Sequence, residues 1–195
     1  MTDEVRIKGV HYTHLRLWET ASRFLAAGKA NKVGSFYPFL AATMFSYLAF
    51  EALLNAWLHA LDPENWAKER DLGNTLAKCA HLFVLAGVPF DKSGKTYQVV
   101  REVSGARDFL AQAKTEEFDE IIPASRLDDM NPVDLKITRF GSESFATEAM
   151  AHIEALANIL NQGLRAKFDH VPVGSAGGAF YGNTGSWEAG LPELQ

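Results

Sequence analysis

The sequence has little cysteine and no excess of positive charge, and each shortage excludes a class of protein. Cys79 is the only cysteine among 195 residues, so the chain forms no internal disulfide. Lysine and arginine number 19 against 24 aspartate and glutamate residues, which gives a net charge of −5. A protein that binds nucleic acid through a broad basic surface has the opposite balance. Residues 1–10 contain no apolar signal core, so we expect a cytoplasmic protein.

The sequence also lacks the motifs that hold common cofactors and metals. Residues 174–178 are rich in glycine, but no predicted strand precedes them and no Gly-Lys-Ser/Thr motif follows. Carboxylate-bridged metal sites in helical bundles repeat a Glu-x-x-His pair on two helices, and the chain does not contain that pattern. We therefore predict neither a cofactor nor a metal.

The most prominent positive feature is the apolar segment Phe36–Leu61. Its length would suit a membrane span, but it contains Glu51, Asn55 and His59, and polar groups at mid-span are costly. We therefore expect no membrane partner. The segment is predicted to be a helix with Ser35 as its N-cap, buried by neighbouring helices or by a second subunit.

Apolar residues at helical spacing predict about five helices and an all-α fold. The predicted helices cover residues 11–30, 36–61, 62–86 with a possible break at Gly73, 96–114 and 143–167. Residues 115–141 have weaker periodicity and are predicted to form a loop. Within them, residues 135–140 alternate between apolar and polar types. Such alternation is typical of a short strand or of an extended connecting segment.

These segments predict an up-down helical bundle with a central apolar helix over residues 1–170. Residues 171–195 are rich in glycine and aromatic residues, and such a segment cannot build a core of its own. We expect an irregular extension that packs on the bundle or on a partner subunit.

Polar residues recur at intervals of four along the apolar helix, at Tyr47, Glu51, Asn55 and His59. This spacing places them on one gradually drifting stripe. One interpretation is that the stripe forms hydrogen bonds with neighbouring helices or faces water, because buried polar groups are nearly always paired. The other is that Glu51 orients a cationic residue of the fourth helix inside a cleft.

Two segments together carry a family resemblance. Residues 46–58 read SYLAFEALLNAWL, and residues 100–114 read VREVSGARDFLAQAK. With a linking helix between them and residues 143–167 as a closing helix, the chain resembles the HEPN family of helical-bundle proteins. In that family the second segment typically reads Arg-Asn, several residues and then His, often followed by lysine, and two such helices meet across a dimer to form a ribonuclease site.

The resemblance implies a homodimer, with RNA or a nucleotide as a possible ligand and another protein as a possible partner. It also implies a cleft between the second and fourth helices. The candidate cleft residues are Tyr47, Glu51, Asn55, Arg101, Arg107, Asp108, Gln112 and Lys114.

The chain departs from the family pattern at two positions. Arg107 matches the family arginine, but Asp108 replaces the asparagine and Gln112 replaces the histidine. Glutamine has no proton that titrates near neutral pH, so it cannot take the place of an imidazole in proton transfer. We therefore expect a non-catalytic binding or regulatory module related to RNA-targeting toxin and defence proteins. The alternatives are a metal-independent ribonuclease, in which Lys114 or His59 assists Arg107, and a helical protein of unrelated function.

Two interpretations of Arg107 remain open. Its planar guanidinium suits a clamp for phosphate or carboxylate. It could instead form a surface ion pair with Glu102, with Asp108 or with a carboxylate of another helix, and such pairs are common and weak. The two interpretations differ in whether Arg107 faces a space that it shares with Glu51.

Overall fold

The computed structural model describes residues 6–67, 73–112, 135–171, 173–181 and 185–190, together with Thr115, Glu117, Pro123 and Ser125. These residues form helices and one two-stranded ribbon, and the predicted all-α bundle is confirmed. In chain order the elements are β1 (Arg6–His11), α1 (His14–Ala30), α2 (Phe36–Leu61), α3 (Pro63–Trp66), α4 (Thr75–Ala86), α5 (Lys95–Ala111), α6 (Lys136–Phe140), α7 (Glu143–Lys167) and β2 (Gly185–Gly190).

Helix α2 is the centre of the bundle, because α1, α4, α5 and α7 all pack against it. Its Phe50, Leu53 and Trp57 are completely buried. Burial of a large apolar side chain stabilises the folded state by roughly 1.5–3 kcal/mol. The helix is long and apolar enough to cross a membrane, a test that the core helix of a soluble protein also passes, and 56% of its most apolar window is buried inside the bundle.

Most helix boundaries follow from capping residues. The Asp62 carboxylate accepts the backbone N–H of Asn65 at the start of α3, and Asn74 accepts that of Ala77 at the start of α4. Gly87 ends α4 in the left-handed conformation, with a φ of 70°. Ser35 occupies the N-cap position of α2, as predicted. Its backbone is already helical, however, and its hydroxyl makes no capping hydrogen bond, whereas capping side chains typically come from residues in the extended conformation.

Residues 135–140 were expected to be extended, and this prediction is wrong because they contain the short helix α6. Tertiary contacts hold this helix in place. The buried Phe140 accepts a hydrogen bond from the Thr43 hydroxyl through its carbonyl oxygen at 3.3 Å. Alternation over so few residues does not distinguish a strand from one helical turn.

The glycine-rich extension packs on α1 and α7. The Phe180 ring stacks on Trp18 with centroids 4.0 Å apart and planes 4° from parallel. The Arg165 guanidinium donates to the carbonyl oxygen of Gly174 at 2.6 Å, and the Asn161 amide donates to that of Ser175 at 2.9 Å. Further along, the extension is not irregular as expected, since β2 pairs antiparallel with β1.

Candidate functional site

Polar side chains from three helices meet on one side of α2 and form a group that we call the polar seam. Two hydrogen bonds join the helices. The Tyr47 hydroxyl of α2 donates to the Ser104 hydroxyl of α5 at 2.8 Å, and the Lys78 ammonium of α4 donates to the Asn55 amide oxygen of α2 at 2.9 Å. The seam consists of Tyr47, Glu51, Asn55, Thr75, Lys78, Ser104 and Arg107.

Tyr47 is the buried centre of the seam, with 2% of its surface exposed. Burial raises the pKa of its phenol, and the negative charges of Glu51 and Asp108 act in the same direction. Hydrogen bonds with the hydroxyl groups of Ser104 and Thr75 partly oppose this rise. The phenol therefore stays protonated at neutral pH and acts as a hydrogen-bond donor.

Lys78 contributes a fixed positive charge from α4. The residue is 4% exposed, and its ammonium reaches the half-buried Asn55 amide. A buried ammonium requires hydrogen-bond partners, since its transfer from water is costly. The Lys78–Asn55 hydrogen bond therefore stabilises the packing of α4 on α2, and the ammonium gives the seam a positive charge.

Arg107 lies at the outer edge of the seam, with 40% of its side chain exposed. Its guanidinium donates to the Asp108 carboxylate at 3.0 Å, and this bond raises the pKa of Arg107. The negative charge of Glu51 raises that pKa further. Glu51 is half-buried, and its carboxylate makes no hydrogen bond or ion pair within the described part of the chain. Arg107 and Glu51 are thus within electrostatic reach of each other.

The structure separates Arg101 from the other candidate residues. Arg101 is six residues before Arg107, which turns it about 120° around α5. It is exposed and lines a different groove, together with Glu102 and residues of α6 and α7. The structure therefore does not bring Arg101 together with Glu51 as the sequence predicted, and places it in this second groove instead.

The remaining candidates lie at the end of α5. Asp108 is exposed beside Arg107, and Gln112 is exposed at the C-cap, where α5 ends three residues earlier than predicted. Lys114 is outside the described residues. The segment that resembles the family motif, from Arg107 to Gln112, spans about one and a half helical turns. It begins at the edge of the seam and ends at an exposed residue.

Three of the described histidines on the bundle helices make contacts away from the seam. The exposed His59 ring makes an edge contact with Trp66 at 5.8 Å. His81 pairs with the Asp62 carboxylate at 2.7 Å, a bond that lowers the pKa of Asp62. His152 makes a hydrogen bond with Thr96 at 3.2 Å. In the part of the chain that the structure describes, none of these imidazoles makes a contact with Arg107 or Glu51.

Other reactive groups add no chemistry to the seam. Burial raises the pKa of Cys79 to about 12, so its thiol stays protonated and packs as a small apolar group. Among the described residues, no group of three or more His, Cys, Asp and Glu side chains is arranged to hold a metal ion.

Sequence reasoning missed three members of the seam, namely Thr75, Lys78 and Ser104. Ser104 is three residues before Arg107, so the helical spacing already placed it beside the arginine. Lys78 and Thr75 gave no such signal, because their positions depend on how α4 packs against α2.

Comparisons of the chain with protein-family models, with curated proteins and with solved structures find no match. The resemblance to the HEPN family therefore stays a prediction based on the residues of α2 and α5.

Proposed function

We propose that this chain is a cytoplasmic, HEPN-like helical protein that acts as a dimer and binds a nucleotide or RNA at the polar seam without cleaving it. The observation that carries the proposal is the placement of Arg107 beside Asp108 and within electrostatic reach of the half-buried Glu51. The Arg107–Asp108 contact is by itself a surface ion pair, and such pairs are common and weak. What favours a binding site is the position of this pair at the edge of the buried Tyr47–Ser104 hydrogen bond and near the Glu51 carboxylate.

The chemistry of the seam suits a ligand with both acceptors and donors. Arg107 offers a planar fork of N–H donors for a phosphate group. Glu51 offers a carboxylate without a direct partner in the described part of the chain, which can accept N–H groups from a base. Lys78 and Arg107 carry two positive charges, and Glu51 and Asp108 carry two negative charges. This balance favours a ligand of mixed polarity over a bare anion.

Within the described part of the chain, no side chain that titrates near neutral pH contacts Arg107, and this supports binding over catalysis. General acid–base cleavage of RNA needs a group that titrates near neutral pH. Gln112 has no such proton, and burial keeps the Tyr47 phenol protonated. The described contacts of His59 lead to Trp66 and not to the seam.

A second copy would meet this chain at the outer end of α5. Asp108 and Gln112 are exposed there, next to Arg107. Light scattering of the purified protein at micromolar concentration tests this part of the proposal. We expect the mass of a dimer, and a strictly monomeric species would contradict the two-subunit arrangement.

The function itself is tested by incubating the protein with RNA oligonucleotides and measuring both binding and cleavage. We expect the wild-type protein to bind without cleavage and the Arg107→Ala variant to bind at least ten times more weakly. Arg16→Ala is the matched control, because Arg16 is an exposed arginine on α1, with 71% of its side chain accessible.

Two results would contradict the proposal. Cleavage by the wild-type protein that is lost in Arg107→Ala would identify a ribonuclease. Equal binding by the wild-type protein and both variants would remove the seam as the binding site.

A further inference from the structure

A second polar site lies on the other flank of α5 and is separate from the polar seam. Helices α5, α6 and α7 line an open groove of about 520 Å³, which we call the α5–α7 groove. This volume is within the usual range of small-molecule sites. Its polar lining residues are Lys95, Gln98, Arg101, Glu102, Arg139 and Glu148.

Buried residues next to the groove fix the positions of the helices that line it. Val99 is the apolar lining residue of the groove and is 8% exposed. The short helix α6 is fixed by the buried Phe140 and by the hydrogen bond from Thr43 to its carbonyl. The Arg139 guanidinium lies over the Phe145 ring at 5.5 Å. The groove is therefore formed before a ligand arrives.

Two ion pairs cross the groove and orient its cations. Lys95 of α5 pairs with Glu148 of α7 at 2.8 Å, and Arg139 of α6 pairs with Glu102 of α5 at 2.6 Å. The hydrogen bond from Lys95 lowers the pKa of Glu148, so this carboxylate stays ionised at neutral pH. Each ion pair uses only some of the N–H donors of its cation, because an ammonium has three and a guanidinium has five.

Arg101 is the remaining cation of the groove. It is exposed and makes no ion pair within the described part of the chain. Three cations against two carboxylates give the lining residues a net charge of +1, although the whole chain carries −5. This local reversal of sign favours an anionic ligand.

We propose that the α5–α7 groove binds a small molecule that carries a phosphate group, with Arg101 and Arg139 donating to the phosphate oxygens. Guanidinium groups match phosphate oxygens in a forked geometry, and two of them from different helices hold one phosphate from two sides. Lys95 adds a third positive charge at the same groove. The remaining volume holds the uncharged part of the ligand.

Calorimetric titration at constant ionic strength tests this inference with three probes. Ribose 5-phosphate carries the phosphate on a small polar body, ribose lacks the phosphate, and inorganic phosphate lacks the body. We expect saturable binding of ribose 5-phosphate and none of ribose. Inorganic phosphate that binds as tightly as the ester would identify free phosphate as the ligand of the same groove.

Matched variants locate the binding. We expect Arg101→Gln to weaken the binding of ribose 5-phosphate at least tenfold and to leave the thermal midpoint unchanged, because Arg101 is exposed. Arg16→Gln on α1 and Arg107→Ala in the polar seam should bind as the wild type does. The last variant separates this inference from the proposed function.

Two outcomes would overturn the inference. The first is no saturable binding of either phosphate compound to the wild-type protein. The second is equal affinity in the wild type, Arg101→Gln and Arg139→Gln, which would place the bound phosphate elsewhere.

Discussion

At the scale of single residues, His14 is the least satisfied polar group that the structure describes. It is the first residue of α1, is completely buried, and has no hydrogen-bond partner at either ring nitrogen within the described part of the chain. Its one described ring contact is an edge-to-face approach of Tyr12 at 6.3 Å. Burial lowers the pKa of His14 from 6.5 to about 4, so the ring is neutral in the folded protein at neutral pH.

This burial predicts a loss of stability in mild acid. The unfolded chain binds a proton at His14 near pH 6.5, whereas the folded chain binds it only near pH 4. The free energy of unfolding therefore keeps its full value above pH 6.5 and falls by up to roughly 3 kcal/mol as the pH drops towards 4. Thermal unfolding across this range measures the effect. We expect His14→Phe to flatten the curve, while the exposed control His59→Gln keeps the wild-type slope. An unchanged slope in His14→Phe would contradict the assignment.

The candidate site could be predicted only in part at this scale. The four-residue spacing on α2 placed Tyr47, Glu51 and Asn55 on one stripe, because spacing within one helix fixes which residues share a face. Arg101 was grouped with Arg107, but it lines the other groove of α5, and its separation from Arg107 in sequence already implied a different face. Lys78 could not be found, since its position depends on packing between helices.

At the scale of the elements, the contact between α1 and α2 depends on Gly28. A Cβ atom at this position would lie 2.5 Å from the nearest atom of the buried Phe39 ring. We expect Gly28→Ala to destabilise the protein by about 1–3 kcal/mol through overpacking, despite the better helix propensity of alanine. Urea denaturation measures the change.

Gly105 is the matched control for Gly28. It lies inside α5 and is exposed, and a Cβ atom added there would meet no neighbouring group of the described chain within 4 Å. Gly105→Ala should therefore stabilise the protein by about 0.5–1 kcal/mol. The two substitutions are thus expected to have opposite signs, and a stabilising Gly28→Ala would show that α1 and α2 do not approach closely at this point.

Arg165 of α7 binds the glycine-rich extension to the bundle through hydrogen bonds to its backbone carbonyl groups. Its guanidinium donates to the Gly174 carbonyl at 2.6 Å and approaches those of Val171 and Val173 at 3.5 Å. We expect Arg165→Leu to free this segment and to increase its rate of cleavage in limited proteolysis by at least tenfold. Arg23→Leu, at an exposed arginine on α1, is the control. Equal cleavage rates in both variants would show that Phe180 and its neighbours hold the segment without Arg165.

The elements themselves were predictable where periodicity is long. Helix α2 has the predicted bounds, and α7 begins after the predicted Ser142, whose hydroxyl caps it by accepting the Phe145 N–H. The ribbon of β1 and β2 could not be predicted, because its two strands come from opposite ends of the sequence. A local sequence pattern carries no information about a pairing partner so far away in the sequence.

At the scale of the whole molecule, α5 separates two polar sites. Its apolar stripe of Val99, Val100, Val103 and Ala106 is buried in the core. The polar seam lies on one flank of this stripe with α2 and α4, and the α5–α7 groove lies on the other. A substitution at one site is therefore expected to leave the other intact.

The convergence of Glu51 and Arg107 across α2 and α5 is the central claim, and a double-mutant cycle tests it most directly. Urea denaturation of the wild type, Glu51→Gln, Arg107→Gln and the double variant gives the coupling free energy between the two charges. Because Arg107 is 40% exposed and screened by water, we expect a favourable coupling of only about 0.3–1 kcal/mol that weakens in high salt. The same cycle between Glu51 and Arg101 should give no coupling. Zero coupling for Glu51 and Arg107 would contradict the account.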